Sequence, residues 1–268
     1  RQEPDEDSDE HKLYLQAYHH VERPTAEGMR EARSLLERVL EIDPGYALAY
    51  ESLAWVNFHS SFNGWTKDPW QGLQAARRDA ARGLSLDDRN SYLRSSFGLG
   101  ETYLGNARRG LMELQEAVSL SPGDAESHTW LGIGLAFTGN LQGAYAAFAE
   151  AHRLSPNYHP IFLFRGDALF ADNRPREALE CYDQFLTVLP EYNWAIAGKA
   201  ACHVECDEIE LAREAVATIR RQSPFMTCDY LHNLLQAKDP EVVGRLLTAL
   251  ETSGLPGRTK TAKPEATQ

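Results

Sequence analysis

The stretch Ala125–Pro156, AESHTWLGIGLAFTGNLQGAYAAFAEAHRLSP, reads as two helices folded back on each other. Leu131, Gly132 and Leu135 fall on the inner face of the first helix; Ala144, Phe148 and Ala151 share one face of the second. Gly139-Asn140 supplies the turn, and Pro156 ends the second helix because proline cannot extend the hydrogen-bond ladder. Small residues at Gly132 and Ala144 let the backbones approach, and Phe148 fills the space beside them. A single hairpin of this kind leaves apolar faces open, so it requires neighbours.

Those neighbours are visible at a fixed period. Pro122, Pro156, Pro190 and Pro224 are spaced 34 residues apart. In the same phase run the small residues Ala76, Gly110, Ala144, Ala178 and Ala212. Four positions further on lie Ala80, Leu114, Phe148, Tyr182 and Val216. The pattern resembles the tetratricopeptide (TPR) repeat over residues 11–224. The expected fold is all-α: a right-handed α-solenoid of about six TPR hairpins, closed by a C-terminal capping hairpin over residues 225–254.

Working outward, residues 91–122, 125–156, 159–190 and 193–224 form repeats of normal length. The repeat before them, 47–88, is ten residues longer than the period allows, the excess lying in HSSFNGWTKDPW, residues 59–70. This insertion carries Phe62, Trp65 and Trp70, and reads either as a self-packed corner over the next repeat or as a docking lip. The first repeat, 11–44, has an extended link, with Thr25 as the cap of its second helix. The acidic residues 1–10 and the apolar-poor residues 255–268 are expected to be a disordered linker and tail. Because the chain opens on Arg1, it is expected to be the later part of a longer or processed protein.

Charge narrows the function classes. The formal net charge is −12, of which the repeat array keeps −9 after the first ten residues (−5) and the last fourteen (+2) are set aside. That sign disfavours phosphate backbones and anionic lipid, so neither nucleic acid nor a membrane is expected as partner. No apolar run approaches the ~20 residues that span a bilayer. Cys181, Cys202, Cys206 and Cys228 suit free thiols in a reducing, cytoplasmic setting. His19-His20 point about 100° apart on a helix, and Cys202, His203 and Cys206 lack two further converging ligands, so no metal site is read. No nucleophile elbow, phosphate loop or H-E-x-x-H is present; Gly98-Leu99-Gly100 and Gly132-Ile133-Gly134 are helix-packing glycines. The chain is therefore expected to be non-catalytic and to carry no cofactor.

The TPR resemblance implies a concave groove lined by the first helix of each repeat. The corresponding positions are Leu48, Glu51 and Trp55; Tyr92, Ser95 and Leu99; Glu126, Thr129 and Ile133; Leu163 and Asp167; and Trp194, Ala197 and Ala201. None is lysine, arginine or asparagine, so the clamp for an acidic C-terminus seen in chaperone-binding TPR arrays is ruled out by residue type. The candidate partner-binding residues are Trp55, Trp65, Tyr92, Ser95, Leu99, Glu126, Thr129, Ile133, Leu163, Asp167 and Trp194, with core packing as the competing role for each aromatic. They suit an apolar or mildly basic protein segment, a fused upstream domain, or a second copy of the chain.

A closer resemblance rests on LYLQAYHH, ERPTAEGMREARSLLERVLEIDPGYALAYESLA, the insertion with Gly64-Trp65, and KDPEVVGRLLTALETSGLPG. Together these are similar to the C-terminal TPR region of bacterial class III adenylate/guanylate cyclases. That resemblance implies a cytoplasmic signalling role beside an upstream cyclase domain, without supplying catalytic residues to this chain. The other readings are the effector region of a winged-helix transcription regulator and a free-standing assembly adaptor.

Overall fold

In a computed structural model, residues 8–257 are described; the readings for residues 1–7 and 258–268 lie outside them. The described residues form fourteen α-helices and no strand. Six hairpins follow one another: α1 (Asp9–Glu22) with α2 (Ala26–Ile42), α3 (Ala47–Phe62) with α4 (Pro69–Leu86), and α5 (Ser91–Tyr103) with α6 (Ala107–Leu120). Then come α7 (Ala125–Phe137) with α8 (Leu141–Leu154), α9 (Pro160–Ala171) with α10 (Pro175–Leu186), and α11 (Asn193–Glu205) with α12 (Ile209–Gln222). After them stand α13 (Cys228–Leu234) and α14 (Pro240–Thr252).

Local chemistry sets these boundaries. Thr25 Oγ1 accepts from the Gly28 amide at 3.0 Å, making it the cap read from sequence. Gly139, at φ +79°, turns the chain between α7 and α8, and the Asn140 side chain then accepts from the Gly143 amide. Pro69, Pro160, Pro175 and Pro240 occupy the first helical turn, where a missing amide costs nothing. The hairpin contacts obey the small–large rule. Ala76, Ala144, Ala178 and Ala212 are fully buried, as are Ala80, Leu114, Phe148, Tyr182 and Val216 to within 1%. A methyl group on Gly132 would overlap the Phe148 ring, so the α7–α8 approach depends on that glycine.

Two boundaries differ from the sequence reading. Asp9 and Glu10 belong to α1, because Ser8 accepts from the His11 amide and the two acids sit favourably in the first turn. Leu255 is 2% exposed and the Pro256 carbonyl accepts from the Cys228 amide at 3.0 Å, so these two residues are held against α13 rather than lying in a free tail.

The insertion is also corrected. Half of residues 59–70 extends α3 and α4, leaving a short link, 63–68, that packs inward instead of projecting as a lip. It also reaches past the next repeat to the sixth one and to α13. The Tyr230 hydroxyl donates to the Ser61 carbonyl (2.6 Å), Asn193 Nδ2 to the Asn63 carbonyl (3.0 Å), and the Ser223 hydroxyl to the Gly64 carbonyl (2.6 Å). Gly64 has φ +68°, and a side chain there would strike Ser223 Oγ and come within 2.9 Å of Met226 Cβ. The solenoid thus curls far enough for its second repeat to be joined to its end, closing the concave side at this level.

The terminal hairpin likewise differs in placement. The hairpin expected to close the open end of the array instead packs α14 on α11 and α13 against α4. The reason lies in α11, whose residues are buried almost all round from Asn193 to His203, leaving an apolar inner face that α14 covers. Val243, Leu246, Leu247 and Leu250 of α14 are all less than 8% exposed.

Candidate partner-binding site

The first helices of the repeats converge on the concave side, where ring stacking and charge divide the surface into two halves. In the half nearer the C-terminus, Asp167 of α9 accepts from the Trp194 indole (3.0 Å) and the Tyr182 hydroxyl (2.7 Å). Lys238, in the link between α13 and α14, places its ammonium 5.1 Å from the Phe137 ring centre and 5.7 Å from that of Trp194. Its charge also draws the Asp167 carboxyl downward against a larger upward push from burial. The protein's own C-terminal segment therefore occupies much of this half with a lysine set among aromatic rings near a carboxylate, leaving a smaller cavity of about 120 Å³.

The other half is open. A cavity of about 340 Å³ lies between α1, α3, α5, α7 and α9, with Phe185, Leu189 and Tyr192 at its far end. Its wall is an aromatic run: Trp55 and Trp130 have ring centres 4.8 Å apart, and Trp130 meets Phe164 edge-on at 5.1 Å. At the far end His59 Nδ1 lies 3.1 Å from the Tyr192 hydroxyl. Burial holds that imidazole down at about 4, so it is neutral at physiological pH. Tyr18 and Tyr92 are 40% and 42% exposed and sense the Glu51 and Glu126 charges at the side open to solvent.

Two carboxylates face this cavity. Glu51 is 8% exposed; its polar neighbours are the Trp55 indole and the Ser52 hydroxyl, the latter at 3.5 Å. Glu126 accepts from the Trp130 indole at 3.1 Å and lies beside the Tyr158 hydroxyl. Burial raises Glu51 to about 8, with the charge of Glu126 adding to it, and raises Glu126 to about 7. Among the described residues neither has a cation within ion-pair distance. The contrast with Glu101 is clear, which is paired with Arg77 (3.2 Å) and flanked by Arg109 (3.8 Å); Asp167 feels the charge of Lys238 without an ion pair.

Of the residues chosen from sequence, Trp55, Leu99, Glu126, Ile133 and Leu163 line the open cavity. Asp167 and Trp194 lie in the filled half. Ser95 and Thr129 are shut between helices at 1% and 0% exposure, Thr129 donating to the Ala125 carbonyl, so they do not face the cavity. Trp65 packs on the first-repeat cluster of Tyr14, Met29 and Leu36, away from the cavity lining. Sequence reasoning missed Tyr18, Glu22, His59, Tyr103, Trp130, Tyr158 and Tyr192 as lining residues. For Trp130 and Tyr103 a signal existed, since each stands four residues after a chosen position and hence on the same helical face.

The fold has solved counterparts. It is the fold of tetratricopeptide-repeat solenoids. A thermophilic TPR protein from Thermus thermophilus, TTC0263, superposes with a TM-score of 0.52 at 18% identity, over 68% of this chain and 92% of that one. PilW, a type IV pilus biogenesis factor, gives 0.52 at 15% identity, over 81% and 94% of the two chains. No protein-family model and no curated protein matches the sequence. No helix among the described residues is long and apolar enough to cross a membrane.

Proposed function

We propose that this chain is a non-catalytic protein-interaction module that holds an apolar, mildly basic segment of a partner in the open half of its concave face. The observation that carries this reading is the division of that face. One half is largely occupied by the protein's own α13–α14 segment; the other presents an aromatic cavity of about 340 Å³, with exposed Tyr92 and Tyr18 beside it. Aromatic residues of this kind commonly dominate protein interfaces. The acidic balance of the chain favours a neutral or basic partner over nucleic acid or anionic lipid, and the four free thiols support a cytoplasmic setting.

The resemblance to cyclase-linked TPR regions supports a signalling role in which the segment belongs to a fused upstream domain, a second copy of the chain being the alternative source. The test is a peptide-display selection on the intact chain. Peptides enriched by the parent protein are expected to lose affinity at least about tenfold on Tyr92→Ala and Trp55→Ala, with Tyr92→Ala melting at an unchanged temperature. Peptides that bind both variants as tightly as the parent would place the interaction elsewhere.

A further inference from the structure

We propose that the open half of the concave face recognises a lysine side chain of the partner segment, its ammonium received between Glu51 and Glu126 and its methylene stem laid against Trp55 and Trp130. The inference rests on the function proposed above and specifies its chemistry.

Three observations lead to it. First, Glu51 is more than nine-tenths buried, faces a cavity and has no cation partner among the described residues. A buried carboxylate without a counter-charge is costly, and the same fold provides an ion-pair partner for Glu101 and a nearby lysine charge for Asp167. Second, the cavity wall is of indole rings, whose faces attract an ammonium and whose surfaces suit an alkyl chain. Third, the molecule already contains this recognition once. Lys238 lies over Phe137 and Trp194 beside Asp167, so the filled half shows aromatic rings and an acid accommodating a lysine. The open half repeats the rings and the acids and lacks only the lysine.

The charges around the site agree with that assignment. Glu51 and Glu126 are faced by Tyr14, Tyr18 and Glu22 from α1, Tyr92 from α5, Asp124 before α7 and Tyr158 before α9; the cavity's one histidine, His59, is held neutral by burial. No basic group among the described residues competes for the two carboxyls. Because both are held above their ordinary range, the free protein carries protons there that an arriving ammonium displaces, and binding strengthens as pH rises from about 6 to about 8.5.

The test uses the intact chain in two arms. In the first, n-pentylammonium, which is a lysine side chain together with its Cα carbon, and neutral 1-pentanol are titrated while the indole N–H resonances are followed by NMR. Saturable shifts at Trp55 and Trp130 with the ammonium, absent with the alcohol and lost in the Glu51→Gln/Glu126→Gln variant, are expected. Equal responses to both compounds, or no response at these two indoles, overturn the proposal. In the second arm, peptides selected as above are compared with versions in which each lysine is acetylated. Acetylation of one lysine is expected to weaken binding about tenfold or more in the parent protein and to change little in the double glutamine variant. Peptides that bind without regard to acetylation overturn the lysine assignment and leave the interaction reading standing. Failure to select any peptide, with pentylammonium still bound, overturns the partner segment as its source and assigns the site to a free amine.

Discussion

Replacing Glu51 by glutamine should stabilise the unliganded protein, and the gain should grow with pH. The folded structure raises this carboxyl from 4.5 to about 8, chiefly through burial. A raised acid contributes its stability below the unfolded value and loses it as pH climbs towards the folded one, so the penalty accumulates between 4.5 and about 8. At about 1.4 kcal/mol per pH unit the full displacement corresponds to about 4 to 5 kcal/mol. Glutamine keeps a polar amide in the same buried place, so the substitution should recover only part of this, about 2 to 3 kcal/mol. The assay is urea unfolding of both proteins by circular dichroism at about pH 5 and about pH 8.5. The variant should match the parent within about 1 kcal/mol at the lower pH and exceed it by the recovered amount at the higher one. Identical pH dependence in the two proteins would refute the argument that burial holds the Glu51 carboxyl above its ordinary range. A binding site that holds charge in apolar surroundings sacrifices stability for recognition, which is the trade expected where function conflicts with packing.

Other consequences can be measured in the same way. Gly64→Ala places a side chain at φ +68° against Ser223 and Met226; it should cost about 2 kcal/mol or more and speed amide exchange in α13. Unchanged stability would mean that the seam between the second repeat and the chain end does not need the glycine. Ending the chain at Pro224 uncovers the inner face of α11, and with each large apolar side chain worth about 1.5–3 kcal/mol, the product should melt lower or self-associate in analytical ultracentrifugation. The His59 imidazole, lowered to about 4 by burial, should stay neutral in an NMR titration until the pH nears that value. Since its unfolded value is ~6.5, it withdraws stability as pH falls from there towards 4. A ring that titrates near 6.5 would place His59 in contact with solvent.

The repeating unit is legible in the residues alone. The 34-residue step, the small residue facing a large one four positions on, the cap at Thr25 and the turn at Gly139-Asn140 are local or near-neighbour features, and each hairpin follows from interactions within one period. Part of the cavity is legible too, because Trp55, Leu99, Glu126, Ile133 and Leu163 lie on the faces that first helices turn inward. How tightly the array curls is a property of the assembled chain. Ser61, Asn63 and Gly64 meet Tyr230, Asn193 and Ser223 across more than a hundred residues, and nothing local encodes such pairings. That curl settled which half of the concave side α14 would fill, why Ser95 and Thr129 are shut between helices, and that Glu51 and Glu126 face one cavity without a cation. Periodicity reports what a residue does within its own repeat. The angle accumulated over six repeats fixes which repeats meet, and it is a sum of small packing differences that a single sequence does not display.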